Sequence, residues 1–413
     1  MIKIKNYIYT FIFSLALATG GSFILSKGFN LLNAITYTLS VVVFLVISIY
    51  ALTRLQWDFT TESRYQKIIL WLFFLYEAII VSRGLPTDYK NVKELIQMDY
   101  LFWVYLIPIF IFFDKKLITL AYLMNAIYFL ATSFFLICIV KPSLILERAT
   151  AENFIHPFVF GCGFLLLNAR YLSKTKKTVA FLAMAVGIFS FVYLARRNGI
   201  ISYATLILGA AAINARYLSA SKLFKIFPII AGVIVIGLLS TDSMPASFTQ
   251  KLSNRLTEDS RSGIFDFYFD GMKGYEVYGK GMQGQFYYPS GGTGEDGETR
   301  DMIFYRKGIE NGYLQLNLNG GIIYIVLFAL VLLPAVFLGL FRSSNQLSQA
   351  AGVVVLSWLI DMGVYGLPRL TTEYVLVWIC AGICYKTSLR ETPDEEITYF
   401  FKNSEEDEST LVY

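Results

Sequence analysis

Histidine is almost missing from this chain: His156 is the only one in 413 residues. A metal centre built from several imidazoles is therefore excluded, and His156, at the start of an apolar run, reads as a polar interface residue. Cysteine is scarce too. Cys138, Cys162, Cys380 and Cys384 all fall inside apolar runs. Cys380 and Cys384 share a helix face, but no histidine or carboxylate accompanies them, so they read as small buried hydrophobes. Charge is thin, at 16% of residues against 56% hydrophobic, where a soluble domain carries roughly 25% charge. A soluble globular enzyme is excluded. No internal repeat and no low-complexity run is visible, which argues against transporters built from duplicated halves.

What is present in quantity is apolar sequence in long blocks. Blocks of this length with few charges read as helical membrane spans, whereas barrel strands would alternate over roughly ten residues. About twelve spans are expected, at 8–26, 31–51, 67–82, 100–113, 117–140, 153–169, 178–195, 200–214, 226–240, 320–341, 350–367 and 373–386. Those at 67–82 and 100–113 are short for a hydrocarbon core of roughly 30 Å, so tilting or bending is expected there. Ala16-Leu17-Ala18 resembles a signal-peptidase site, but the apolar run continues to Leu25, so an uncleaved first span is expected.

Basic residues sort the connecting loops. Lys3 and Lys5, Arg54/Arg64/Lys67, Lys115-Lys116, Arg170/Lys174/Lys176/Lys177, Arg216/Lys222/Lys225, Arg342, and Lys386/Arg390 all fall on one side. By the positive-inside rule that side is cytoplasmic and both termini lie inside. The expected organisation is a bundle part at 1–240, an outward loop module at 241–319, a second bundle part at 320–386 and an acidic cytoplasmic tail at 387–413. The tail reads as solvated and partly disordered.

The polar stretch Thr241–Asn319 interrupts the spans. Gly, Tyr and charge at this density cannot sit in hydrocarbon, so it must be a water-facing module. Within it, Ile264, Phe265, Tyr268 and Phe269 recur at helical spacing and predict an amphipathic helix over 262–272. Ser290–Gly297 contains no apolar residue and reads as a mobile loop. Gly279-Lys280-Gly281-Met282-Gln283-Gly284 matches G-x-G-x-x-G but lacks a βαβ context, so a turn is expected rather than a dinucleotide site.

The candidate chemistry gathers at the outward side. Arg196 and Arg197 sit in a short outward turn against the charge asymmetry, and guanidinium forks suit phosphate oxygens. Arg261 precedes the predicted helix, where a cation opposes the macrodipole and gains little structurally. Arg83, at the outward end of the third span, joins this cationic set. Glu310 beside Asn311, at the rim of the 320–341 span, could accept a proton from a sugar hydroxyl if shielded from water. Glu77 and Asp361 lie within spans, where acids are expensive and are functional candidates by default. Tyr313 belongs to a dense set of outward tyrosines (Tyr268, Tyr275, Tyr278, Tyr287, Tyr288, Tyr305) whose rings can stack on sugars.

Three local pieces resemble the O-antigen polymerase/ligase superfamily. Tyr193-Leu194-Ala195-Arg196-Arg197-Asn198-Gly199-Ile200 is similar to its arginine-containing turn between two spans. Arg261-Ser262-Gly263-Ile264-Phe265, followed by Tyr278–Gly284, is similar to the start of its large periplasmic loop. Glu310-Asn311-Gly312-Tyr313-Leu314-Gln315-Leu316, with Gly320-Gly321-Ile322-Ile323, resembles its His-Asn-x-Tyr-Leu run. Where ligases of the family have His, this chain has Glu310, a departure that favours polymerase over ligase.

The resemblance implies an all-α polytopic membrane protein, similar to lipid-dependent membrane glycosyltransferases (GT-C-like), in the bacterial inner membrane with its active site periplasmic. It implies inverting, metal-independent polymerisation of undecaprenyl-diphosphate-linked oligosaccharide repeat units (O-antigen, capsule or exopolysaccharide), needing no cofactor and no nucleic acid. Donor and acceptor would both be lipid-linked, and a chain-length regulator is a candidate partner. Catalysis would fall to Glu310 and Arg261. Arg196, Arg197, Arg83, Asn311, Tyr313, Asp361 and Glu77 would bind substrate. The alternatives are an O-antigen ligase acting on a lipid A core and a polysaccharide or lipid transporter.

Overall fold

The computed structural model describes residues 7–26, 31–60, 62–85, 102–140, 155–194, 197–215, 262–293, 299–364 and 367–410. The protein is an α-helical bundle, with six described helices long and apolar enough to cross a membrane. In chain order the helices are α1 (Tyr7–Ser26), α2 (Leu31–Arg54), α3 (Arg64–Ser82), α4 (Leu117–Val140), α5 (His156–Leu167), α6 (Lys174–Tyr193) and α7 (Arg197–Ala215). There follow α8 (Ser262–Met272), a hairpin of β1 (Phe286–Thr293) and β2 (Thr299–Arg306), then α9 (Gly312–Phe341), α10 (Gln346–Val364), α11 (Thr372–Tyr385), α12 (Thr387–Glu391) and α13 (Asp394–Thr410).

Local chemistry sets the helix starts. Ser63, Asn311 and Thr371 each accept a backbone N–H three residues on, at the starts of α3, α9 and α11. The bundle centre is α10 and α11: every residue from Glu373 to Tyr385 is buried. Around them α9 packs on α3 and α10, α7 on α5 and α10, and α1 on α2 and α4. Small residues permit the closest approaches. A methyl at Gly339 would meet Gly352 and Ser348 at 2.9 Å.

One face of α9 is left exposed, and it is apolar: Ile322, Val326, Leu330, Leu333, Phe337 and Phe341 recur every three or four residues. On α3, Ile68, Leu72, Leu75 and Ile79 do the same. From Ile322 to Phe341 the stripe runs roughly 29 Å at 1.5 Å per residue, the thickness of a bilayer's hydrocarbon core. These stripes read as lipid-facing.

Four sequence expectations are corrected. The predicted span at 100–113 is not an α-helix: Trp103–Tyr105 and Ile107–Phe112 are 3₁₀ turns, with Pro108 inside the apolar run. Ile107–Phe112 packs on α11, and Phe113 bridges to Trp57. Gly312–Gly320, assigned to the loop module, is helical, and non-helical Gly321 separates it from the shaft that the 320–341 expectation marks. Ser290–Thr293, expected in a mobile loop, is strand, paired antiparallel with Thr299–Met302. The tail folds as α13. The span expected at 226–240 lies outside the described residues.

The tail is docked by its first two turns. Asp394, 4% exposed, accepts hydrogen bonds from Arg170 Nη1, the Tyr171 hydroxyl and Gln346 N–H. Ile397 and Phe401 are buried, and Phe401 stacks on Tyr171 at 5.4 Å. Removing a buried carboxylate leaves its partners unsatisfied, at about 3 kcal/mol. Asp394→Ala should therefore lower the melting temperature and open the chain to protease just before the tail. Unchanged protease resistance would show that the apolar contacts suffice.

The basic loops converge at this same end. Lys386 Nζ lies 3.1 Å from Asp58 and 3.5 Å from Glu62. Arg390 donates to the Arg342 carbonyl, and Asp114 N–H to that of Gln56. Burial pushes the Asp58 carboxyl up, but hydrogen bonds from Thr60 and Lys386 outweigh it and hold it at about 2. A carboxyl lowered on folding contributes stability above its unfolded pKa, roughly 3.9, that is lost as pH falls through the folded value. Melting temperature should drop between roughly pH 4 and pH 2, with a shallower drop in Asp58→Asn.

Candidate functional site at the module end

At the opposite end the polar module is keyed into a broken helix. Inside α9, Gly321 takes φ 66°, ψ −168°, which splits a half-helix, Gly312–Gly320, from the lipid-facing shaft. The residues freed by the break bond to an incoming loop. Lys280 and Gly281 N–H donate to the Leu318 and Asn319 carbonyls at 2.7 and 2.8 Å. Ile322 and Ile323 N–H donate to Glu276 and Val277 at 2.9 and 3.2 Å. A methyl on Gly321 would lie 2.2 Å from Val277 backbone, and one on Gly279 2.5 Å from Asn319, Gly320 and Gly321 backbone. The G-x-G-x-x-G run is thus a turn, as expected, shaped by backbone meeting backbone at this seam.

Arg83 secures the seam. Its Nη1 donates to the Tyr278 carbonyl at 2.6 Å and Nη2 to that of Gly279, with the guanidinium 5.3 Å from the Tyr278 ring. Met282 N–H donates to the Ile80 carbonyl. Arg83, expected to bind substrate, has its fork on these two loop carbonyls and so joins the end of α3 to the module.

The half-helix reaches from α3 to α10. At one end Tyr76 donates to the Gly320 carbonyl at 2.7 Å; at the other Asn311 Nδ2 donates to Gly363 and the Tyr313 hydroxyl to Leu359, both at 2.7 Å. Asn311 also caps its N-terminus. Asn311 and Tyr313 therefore hold the half-helix in place. A small second core, Tyr268, Met272, Phe286, Ile309 and Leu318, ties α8 and the hairpin beneath it, and burial pushes the Tyr268 hydroxyl up.

The acids separate into three settings. Glu77, 2% exposed, accepts from the Tyr324 hydroxyl at 2.8 Å, and its Oε2 has no hydrogen-bond partner among the described residues. Tyr105 stacks on Tyr324 and accepts from Asn319 at 3.0 Å, and Asn319 in turn accepts from Gln315. Tyr324 stacks on Phe73 at 5.9 Å, so Glu77 sits inside the packed bundle. Asp361, 1% exposed, accepts from Ser202 at 2.6 Å. Glu310 is the accessible one, its side chain 50% exposed with Arg306 at 3.7 Å. The shielding expected for Glu310 is not found.

Arg196 and Arg261 lie outside the described residues. Arg197 opens α7, five residues and so roughly 7.5 Å along the helix from Ser202, which places its backbone beside the end of α10. Glu310, Asn311, Tyr313, Asp361 and the start of α7 thus share one neighbourhood. Glu77 and Arg83 stand at the far end of the half-helix. Sequence reading missed Tyr324 and Ser202, polar groups within spans, and Asn319 and Arg306 in the module. All four cysteines are buried, and among the described residues no cluster of His, Cys, Asp or Glu could hold a metal. Compared with known proteins, the chain matches no family model, no curated protein and no solved structure.

Proposed function

We propose that this protein is a membrane glycosyltransferase that polymerises undecaprenyl-diphosphate-linked oligosaccharide repeat units. One observation carries the reading: the half-helix Gly312–Gly320 brings Glu310, Asp361 and the start of α7 to one end of α10. The reading takes Arg196 and Arg197 as phosphate-binding groups and Glu310 as the proton acceptor.

The chemistry follows from those groups. An acceptor sugar hydroxyl attacks the anomeric carbon of the donor glycan from the face opposite the diphosphate. The bond from that carbon to the diphosphate oxygen breaks, the hydroxyl proton passes to Glu310, and the lipid diphosphate leaves. Arg196, Arg197 and Arg261 would neutralise charge on the departing diphosphate. The proposed setting is the periplasmic face of the bacterial inner membrane.

The break in α9 and the buried acids also favour a second reading, a transporter, since discontinuous helices and intramembrane carboxylates line many transport sites. Purified protein in vesicles with lipid-linked repeat units separates the two. A polymerase yields a glycan ladder; a transporter moves single units across the bilayer without extending them. Transfer only to a lipid A core would indicate a ligase. Glu310→Gln should slow the ladder roughly 100-fold, the scale of one general base. A full-rate ladder from that variant would take the base role away from Glu310.

A further inference from the structure

We propose that Gln315 is a positioning residue: its side-chain amide clamps the turn at 307–309 and so fixes the backbone from which Glu310 projects. The inference rests on the polymerase reading above for what Glu310 does there.

Spacing puts the clamp in place. Asn311, Gln315 and Asn319 recur at i, i+4 and i+8, so their amides form one stripe along the half-helix. Each ties the half-helix to a different neighbour. Asn311 reaches the Gly363 carbonyl on α10, Asn319 the hydroxyl of Tyr105 in the 3₁₀ crossing, and Gln315 the turn that leads out of β2.

The orientation of the middle amide is forced. A backbone N–H can only donate and a carbonyl can only accept, so the turn itself decides which way the Gln315 amide lies. Oε1 accepts from Ile309 N–H at 3.0 Å; Nε2 donates to the Lys307 carbonyl at 3.4 Å and to Asn319 Oδ1 at 3.2 Å. Asn319, 6% exposed, then has Nδ2 left for Tyr105, at 3.0 Å. Every donor in this chain meets an acceptor.

Ile309 is consequently held three ways. Its N–H goes to Gln315, its carbonyl accepts from Asn311 N–H at 2.8 Å, and its side chain lies buried in the second core. The next residue is Glu310, whose half-exposed side chain has Arg306 Nη2 at 3.7 Å. A carboxylate that meets solvent thus rises from backbone pinned on either side. Proton transfer to a base needs that precision, since a misplacement of about 1 Å costs up to about 100-fold in rate.

A nitroxide on Glu310→Cys reads the clamp without any activity. All four native cysteines are buried, so the label attaches at 310. Adding Gln315→Met, which keeps the length but has no amide, should narrow the label's spectrum as the turn loosens. In unlabelled protein Gln315→Met should lower kcat for ladder extension roughly tenfold with KM nearly unchanged, because a misplaced base loses rate rather than binding. The same substitution in a Glu310→Gln background should cost almost nothing further, since both changes act through one carboxylate. Gln315→Glu retains the acceptor for Ile309 N–H and should give an intermediate spectrum and rate; it replaces the methionine variant if that one does not fold. Unchanged spectra, or an equal loss of rate with and without the Glu310 carboxylate, would overturn the assignment. If the label loosens as expected but the wild type makes no ladder, the clamp stands and the polymerase reading falls.

Discussion

Gly321→Ala should prevent this protein from accumulating as a monodisperse species in detergent. Gly321 sits at φ 66°, and an added methyl would lie 2.2 Å from the Val277 carbonyl carbon and oxygen. Left-handed strain in a residue with a side chain costs about 1–3 kcal/mol, and here the obstacle is backbone on a second segment. Relieving the overlap means parting the seam. That sacrifices the paired hydrogen bonds from Ile322 and Ile323 and exposes the Leu318 and Asn319 carbonyls, each buried group costing about 1–3 kcal/mol when left unmade. The sum rivals a domain's whole stability. Gly263→Ala is the matched control, because nothing lies within 4 Å of its added methyl. Equal yield and melting temperature for the two variants would mean the seam is not what holds the module.

Arg197→Ala should leave only single repeat units on the cell's glycan while the protein remains folded. The expectation rests on charge. A leaving diphosphate gains negative charge as the anomeric bond breaks, and removal of one donor that stabilises such charge typically costs 10²–10³-fold in rate. Arg196→Ala and Arg261→Ala should behave alike, and Arg197→Lys should recover only part, since an ammonium lacks the planar fork. The readout is ladder length on a glycan gel, with protein level checked by immunoblot. Normal chains in all three alanine variants would remove the cationic set from the mechanism.

Much of the bundle was legible because apolar length is a local property: α1, α2 and α4 lie close to the runs that announce them. The amphipathic spacing of Ile264, Phe265, Tyr268 and Phe269 also announced α8. What escaped depends on pairs far apart in the chain. Nothing near Arg83 indicates that its fork closes on Tyr278 and Gly279, nearly two hundred positions away. The glycine-rich strand is held by backbone pairing, which leaves no side-chain signature. The shortness of the 100–113 run announced bending, but length could not separate a 3₁₀ crossing from a short helix. The tail did carry a legible sign: Ile397 and Phe401 stand at i and i+4 amid acids. Glu310 drew notice by its place beside Asn311 at the rim of a span, and Glu77 and Asp361 by lying within spans, whereas their partners Tyr324 and Ser202 could only be read once the helices were packed.

The exposed stripe of α9 and the glycine seam share one rigid shaft, and this makes the protein a gauge of bilayer thickness. A membrane a few ångströms thicker than the stripe must either drag the Glu276–Tyr278 turn into acyl chains or compress locally, at a fraction of a kcal/mol per ångström. A thinner one bares Ile322 to the headgroups. Since the half-helix that Asn311 caps joins the same shaft, a change in acyl-chain length should load the module end first.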